Sequence, residues 1–541
     1  METPREGTLS RVTKPELAVF VSGVASMGLE ILAGRIVAPQ YGSSIYTWGS
    51  IIAVFLAALS LGYYLGGKRA SARATNHLVI KLLLATAAYV AVLIFAGDLL
   101  LTAAAAFPLP PRFASLPAVI LLFGPPTYLL GFISPYAAEL SGTEGVGEAS
   151  GRVYAVGTVG SIVGAFGTTF FLVPELGIQQ IELAFGLLLV ATALALSAPT
   201  FRRRQVVASV VVALLLTAAV SSSSLGVSTG GEVVYHTQTP YQELEVADLG
   251  DTRTLYLDGQ RHSAMDTSDP DRHVFDYTRY FHLPYLFAGD SDEIDRVLFV
   301  GGGGFTGPKQ FVSEYENVTV DVAEIDPEVI DAAKRYFGVE ESPRLNVHNE
   351  DGRRFLRETD HEYDLIVLDA YKRDKVPFQL TTVEFMQLAS NRLSADGVVV
   401  SNLISAPQGP ASKFYRAEYK TMQQVFPQVY AFPTAGGGVV QNIEVVATKN
   451  SEPISQAKLQ RRNEARDVGI DLSEEIESYR RDENTRGVPV LRDDDAPVDA
   501  LLEPMLGQRY VIQESEEGNE TTLESRVGLE MVNPGIAVNE G

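Results

Sequence analysis

The residues best placed to do chemistry lie in the second half of the chain, each at the end of a short apolar run. Gly301-Gly302-Gly303-Gly304 follows 297–300, Glu324 closes 318–323, Asp351-Gly352 comes after 344–348, and Asp369 follows 363–368. A glycine run before a helix lets backbone N–H groups approach a ligand closely. A carboxylate at the end of the next strand can take both hydroxyls of a ribose. The pair specifies a nucleoside-containing ligand and no more, because Gly302, Gly304 and Gly307 also satisfy G-x-G-x-x-G, the dinucleotide pattern. Asp351 is suited to accept from an adenine amino group, or equally to a simple turn. Asp369, with Asp374 five residues on, is suited to bind an ammonium and remove its proton. An amine, with an unperturbed pKa of ~10, must lose that proton to act as a nucleophile. Helix capping or a solvated loop charge is the alternative for this site.

These residues need a scaffold that brings strand ends together. Apolar runs alternate with helix signals around Pro308 and from Pro327 to Phe337, and a further strand pattern spans 397–402. Such alternation implies a parallel, doubly wound sheet, with ligands beyond the carboxyl ends of its strands. The runs 241–247 and 253–259 read as a hairpin-rich lead-in. The organisation expected is a helical domain over 1–225, a linker over 226–240, a β-rich lead-in over 241–290, an α/β domain over 291–511 and a disordered acidic tail over 512–541.

The first domain is apolar enough to be a multi-pass membrane bundle of about seven helices. Candidate spans cover 16–37, 46–66, 78–97, 115–134, 153–173, 180–199 and 205–222, each close to the ~20 residues a bilayer requires. Gly62, Gly66, Gly157, Gly160 and Gly164 are spaced to let helix backbones approach closely, and Pro125-Pro126 should kink the fourth span. Glu30 and Arg35 are charges at membrane depth, where function or a snorkelling and hydrogen-bonded structural role are both expected. Lys68, Arg69, Arg73 and Arg202-Arg203-Arg204 should be cytoplasmic; seven spans then place 226–541 on the opposite side.

Charge is uneven. Residues 1–225 hold 13 Lys+Arg and 10 Asp+Glu, leaving 30 and 56 of the totals of 43 and 66 for the second half, which carries nearly all of the net −23. That acidity excludes nucleic-acid binding and suits cationic substrates or a salt-rich cytoplasm. With no Cys, disulfides and thiolate sites are excluded, and seven His without H-x-x-x-H spacing argue against a metal site.

The ordered set Gly28-Leu-Glu-Ile-Leu-Ala-Gly-Arg-Ile-Val-Ala-Pro39, Gly151-Arg-Val-Tyr-Ala-Val-Gly157, Pro240-Tyr-Gln242, Leu257-Asp-Gly259, the glycine loop, Val322-Ala-Glu-Ile-Asp326, Asp351-Gly352, Asp369-Ala-Tyr-Lys-Arg-Asp-Lys-Val-Pro377 and Leu491-Arg-Asp-Asp-Asp-Ala-Pro-Val498 resembles membrane-fused spermidine synthase-like proteins. The resemblance implies a Rossmann-like domain of the spermidine synthase and methyltransferase type. It also implies transfer of an aminopropyl group from decarboxylated S-adenosylmethionine to a polyamine, with no metal. Gln242, Gly301, Gly302, Gly303, Glu324, Asp351 and Gly352 would then hold the cofactor, Asp369 would be the base, and His282 and Asp374 would line the polyamine groove. The family places an acid after the third glycine, where this chain has Gly304, and Lys372, Arg373 and Lys375 follow Asp369. Another S-adenosylmethionine-dependent transferase, such as a methyltransferase, and a polyamine or nucleoside transporter or sensor are the alternatives. A protein of this type is expected in the cell membrane, in contact with the lipid bilayer and as a possible homo-oligomer. An enzyme using an intracellular sulfonium should face inward, so the charge rule and the resemblance leave the side of the soluble half open.

Overall fold

The computed structural model describes residues 13–541 apart from 43, 108, 142–145, 224–230, 289–293, 374, 467, 506–507, 516–527 and 530–541. It divides into two units, Met1–Val227 and Ser228–Gly541.

Among the described residues, the first unit contains seven helices long and apolar enough to cross a bilayer: Lys14–Tyr41, Ile45–Arg73, Asn76–Ala105, Leu116–Leu140, Gly147–Glu175, Ile178–Ser197 and Arg203–Ser221. Small residues set the helix contacts. A Cβ at Gly160 or Gly164 would collide with the backbone carbonyls of Phe20 and Val24, and one at Gly62 would lie 2.5 Å from the Tyr128 carbonyl oxygen. Helical structure runs through Pro125 and Pro126 and breaks only at Phe132, between Leu116–Gly131 and Ile133–Leu140, so the interruption falls later than the prolines alone imply. Buried Glu16 pairs with Arg152, while Glu30 and Arg35 are half-buried.

The second unit opens with an antiparallel meander of β1 (Glu232–Gln238), β2 (Glu243–Leu249), β3 (Thr252–Leu257) and β4 (Gln260–Asp266). The expected linker 226–240 therefore contains a strand, because residues 232–238 pair antiparallel with β2. The main sheet comprises β5 (Arg296–Val300), β6 (Thr319–Glu324), β7 (Leu345–Asn349), β8 (Tyr363–Leu368), β9 (Leu393–Ser405), β10 (Gln428–Pro433), β11 (Val440–Thr448), β12 (Tyr510–Ile512) and β13 (Gly528–Leu529). Its order is β13-β12-β11-β9-β8-β5-β6-β7, with β10 on β11.

Strands β7, β6, β5, β8 and β9 run parallel. Leu365 to Leu368 have no exposed surface, as expected for a parallel strand covered on both faces. The sheet is mixed, not wholly parallel: β11 pairs antiparallel with both β9 and β10. The short 434–439 connection permits only a hairpin between β10 and β11.

The ordered chain also passes the expected tail boundary at 512. β12 lies beside β11, Asp276 N–H donates to Gln513 O at 3.0 Å, and Ser515 N–H donates to Val274 O at 3.0 Å. Apart from these residues and β13, the expected tail lies outside the described residues.

Candidate active site

The carboxyl ends of β8, β5, β6 and β7 are adjacent in the sheet and carry Asp369, the glycine loop, Glu324 and Asp351 in that order. Hydrogen bonds join them. Asp369 N–H donates to Val300 O at 2.9 Å, Gly301 N–H to Ala323 O at 2.9 Å, and Glu350 N–H to Glu324 O at 3.0 Å. Gly301 has φ +95°, and a Cβ there would lie 2.5 Å from Asp369 O, so glycine lets β5 turn directly against the start of the Asp369 loop.

Glu324 is buried. Its Oε2 accepts from Gly302 N–H at 2.8 Å and its Oε1 from Asp326 N–H at 2.9 Å. Burial raises its carboxyl above the usual range, opposed by these backbone donors. The Gly303 N–H adds a third, weaker backbone interaction, so the orientation is fixed while some of the carboxylate's acceptor capacity remains. Asp326 caps the helix Pro327–Tyr336 and also accepts from Thr239 Oγ1 at 2.6 Å and Gln242 Nε2 at 3.1 Å. Gln242 is therefore held beside Glu324 through Asp326. Tyr241, to which the sequence reading gave no role, has a phenol whose ionisation is disfavoured first by burial and then by nearby Asp326, Glu324 and Asp351.

Asp351 is half-buried, and one of its oxygens caps the helix Gly352–Glu358 by accepting from Arg354 N–H at 2.9 Å. The turn role and the rim position thus coexist. Gly352 is buried where any side chain would meet Val300, which brings that helix close to β5.

Asp369 is half-buried and accepts from Asn402 Nδ2 at 2.8 Å. Its carboxyl is pushed up to about 7, chiefly by burial and further by Glu324, against the Asn402 hydrogen bond. Asn402 accepts in turn from Asn442 at 2.8 Å, and Asn442 accepts from Tyr510 OH at 2.8 Å. Only the tertiary fold links these groups, which lie 33 to 68 residues apart in sequence.

Two expected groove residues are not added to this group. His282 is fully buried, stacked on Phe311 at 4.7 Å and hydrogen-bonded to Tyr315 at 2.6 Å, so aromatic packing encloses it away from any ligand. Asp374 lies outside the described residues. Lys372 does reach the site, but its ammonium pairs with Asp258 Oδ2 at 2.9 Å, which offsets the charge that would repel an amine. Gly304 N–H donates to Ser263 Oγ at 2.9 Å, and a Cβ on Gly304 would lie 2.8 Å from Ser263 Cβ. An acid does not fit at this position unless Ser263 moves.

The model of the spermine/spermidine synthase domain matches residues 278–452. A polyamine aminopropyltransferase from Vibrio vulnificus is 32% identical over 267 residues, covering 47% of this chain and 84% of that protein. The chain belongs to the polyamine aminopropyltransferase family. It is thus a member of a family of transferases. A probable polyamine aminopropyl transferase from Bifidobacterium longum is 26% identical over 285 residues, covering 50% of this chain and 62% of that protein. Among solved structures, a probable spermidine synthase from Corynebacterium glutamicum aligns with 20% identity and a TM-score of 0.40, covering 49% of this chain and 97% of that one.

Proposed function

We propose that the protein is a membrane-bound aminopropyltransferase that moves an aminopropyl group from decarboxylated S-adenosylmethionine to an amine, with Asp369 as base. Membership of the aminopropyltransferase family supports the reaction class, and seven long apolar helices support the membrane location. The observation that carries the assignment of residues is the alignment of Asp369, the glycine loop, Glu324 and Asp351 along four adjacent strand ends.

In this reading Gly301, Gly302 and Gly303 accommodate the sulfonium end of the donor. Glu324, steadied by Gly302 and Asp326, takes the ribose hydroxyls, and Gln242 closes the same wall. The second oxygen of Asp351 receives the adenine amino group, beside Gly352. When bound, the sulfonium supplies an electrophilic methylene. The acceptor nitrogen forms a bond to that carbon as the carbon–sulfur bond breaks, its electrons staying on sulfur in methylthioadenosine. Asp369 orients the acceptor and takes its proton. A carboxylate near 7 is a better base for this than one near 4, because it narrows the gap to an amine at ~10.

The test is binding of methylthioadenosine to the full chain in detergent, compared with Glu324→Gln and Asp369→Asn. Glu324→Gln should weaken binding by about ten-fold or more, whereas Asp369→Asn should bind normally and not turn over. Equal binding by wild type and Glu324→Gln would remove the ribose role.

A further inference from the structure

The helical unit holds a buried acid that aminopropyl transfer does not use. Glu182 lies in the span Ile178–Ser197, about 6 Å along the helix from its first residue, and only 3% of it is exposed. Among the described residues nothing donates to its carboxylate and no cation stands beside it. The charge close enough to act on it is Asp98, a second acid, on the span Asn76–Ala105 that packs against it. The other buried acid of this unit is matched: Glu16 pairs with Arg152 and accepts from Thr13 N–H at 2.8 Å. A carboxylate sealed in a hydrocarbon span is costly unless a proton or a cation neutralises it, and such acids mark ion and substrate paths.

The surroundings of Glu182 are irregular as well. Phe185, one turn on, is seated over Gly28, where a Cβ would collide with its ring. Ile181 and Phe185 share a buried apolar cluster with Leu32 and Val173, and Leu172 packs against it. Leu172 ends a π-helical turn, Thr168–Leu172, inside the span Gly147–Glu175. The turn opens at Thr168, whose hydroxyl is fully buried and has no hydrogen-bond partner among the described residues. Turns of this kind inside α-helices gather at functional sites. The depths agree: Gly160 and Gly164 face Phe20 and Val24, so Thr168 falls level with Gly28, the residue beneath Phe185. An unpartnered acid, an orphaned hydroxyl and a break in helical regularity thus meet at one level of the bundle. Membrane carriers build substrate sites from interrupted helices in this way.

We propose that the helical unit carries an aliphatic diammonium ion across the bilayer, and that Glu182 with Asp98 binds it on the way. This rests on the membrane reading of the first unit. Two carboxylates match two ammonium groups, and Ile181, Phe185 and Leu32 offer hydrocarbon to the methylenes between them. A metal ion fits less well, because a hard cation takes about six or more oxygen ligands and no third acid or histidine joins the pair among the described residues. Asp98 is exposed and meets the ion first; Glu182 is buried and holds it inside.

The experiment reconstitutes the full chain in phosphatidylcholine vesicles and measures uptake of radiolabelled 1,4-diaminobutane by wild type, Glu182→Gln and Asp98→Asn. No sulfonium donor is present, so nothing is transferred. Flotation with the vesicles after high-salt washing reports insertion, and thermal melting reports folding. Wild type should take up label about ten-fold faster or more than protein-free vesicles, and Glu182→Gln should lose about nine-tenths of that rate. Asp98→Asn, altered at an exposed position, should raise the half-saturating concentration about two-fold or more. Uptake by wild type no faster than by protein-free vesicles overturns the proposal and leaves the membrane reading standing. So does equal uptake by wild type and a folded Glu182→Gln or, where that variant does not fold, by wild type and Asp98→Asn. A chain that does not float with the vesicles overturns the membrane reading and the proposal with it.

Discussion

Replacing Asn402 with alanine should move the acid limb of the pH–rate profile toward alkaline pH. Asn402 Nδ2 donates to Asp369 Oδ1 at 2.8 Å, and this bond favours the ionised carboxyl. A hydrogen bond to a charged group contributes roughly 1.5–3 kcal/mol, and one pKa unit corresponds to about 1.4 kcal/mol. Because Asp369 is half-buried, water replaces part of the lost bond, so the lower end applies: a rise of about one unit. With its carboxyl pushed up to about 7 by burial, Asp369 should place the wild-type limb near that pH. The assay is kcat/KM for the acceptor amine between pH 5 and 10. Loss of Asn402 also strips Asn442 of its acceptor, so some stability is lost, but instability lowers the amplitude without displacing the limb. A limb that stays in place or moves toward acid pH would refute the claim that Asp369 is the titrating base.

Asp369→Asn should abolish turnover and stabilise the fold at pH 8 but not at pH 4. The folded carboxyl titrates at about 7, above its unfolded value near 4, so the folded state holds the extra proton and wild-type stability falls as pH rises through that window. A melting shift equivalent to about 1 kcal/mol or more at pH 8 is expected, and equal shifts at both pH values would contradict it. Gly301→Ala should destabilise by about 2 kcal/mol or more, because φ is +95° and the new Cβ would lie 2.5 Å from Asp369 O; denaturant unfolding measures it. Lys372→Met should cost about 1–3 kcal/mol by removing the ion pair of Asp258, which then keeps only the Glu243 N–H bond and the more distant charge of Lys375, and adding Asp258→Asn should recover most of the loss in a double-mutant cycle. The full chain should remain in the membrane fraction after high-salt washing, which removes proteins held only by charge; a reporter at the C-terminus reads the side it faces.

The parts of this protein legible in the sequence are those with a local signature. The spans are long apolar runs, and β5, β6 and β8 are short apolar runs ending in Gly301, Glu324 and Asp369. Since ligands gather at such strand ends, the rim could be read before the strand order was known. Asp351 was legible as a turn or a ligand, and its helix cap leaves one oxygen for the second role. What escaped depends on distant pairing. The Asn402–Asn442 contact joins strands 40 residues apart, and Lys372 meets Asp258 across 114 residues. Polar Gln441, Asn442 and Glu444 interrupt the apolar residues of 440–447 as on a half-solvated strand, yet β11 is buried along its whole length, so Glu444 gave no sign of its burial. His282 looked like a groove residue because the segment sequence does not show the aromatic side chains of Phe311 and Tyr315 that enclose it.

The most direct test of the central claim is the identity of the products formed by the full chain from decarboxylated S-adenosylmethionine and 1,4-diaminobutane, quantified by mass spectrometry. Methylthioadenosine and an aminopropylated amine should form in equal amounts, and both should vanish in Asp369→Asn. Methylated amine, or turnover unchanged by the Asp369 substitution, would contradict the assignment of this strand-end rim as an aminopropyl-transfer site.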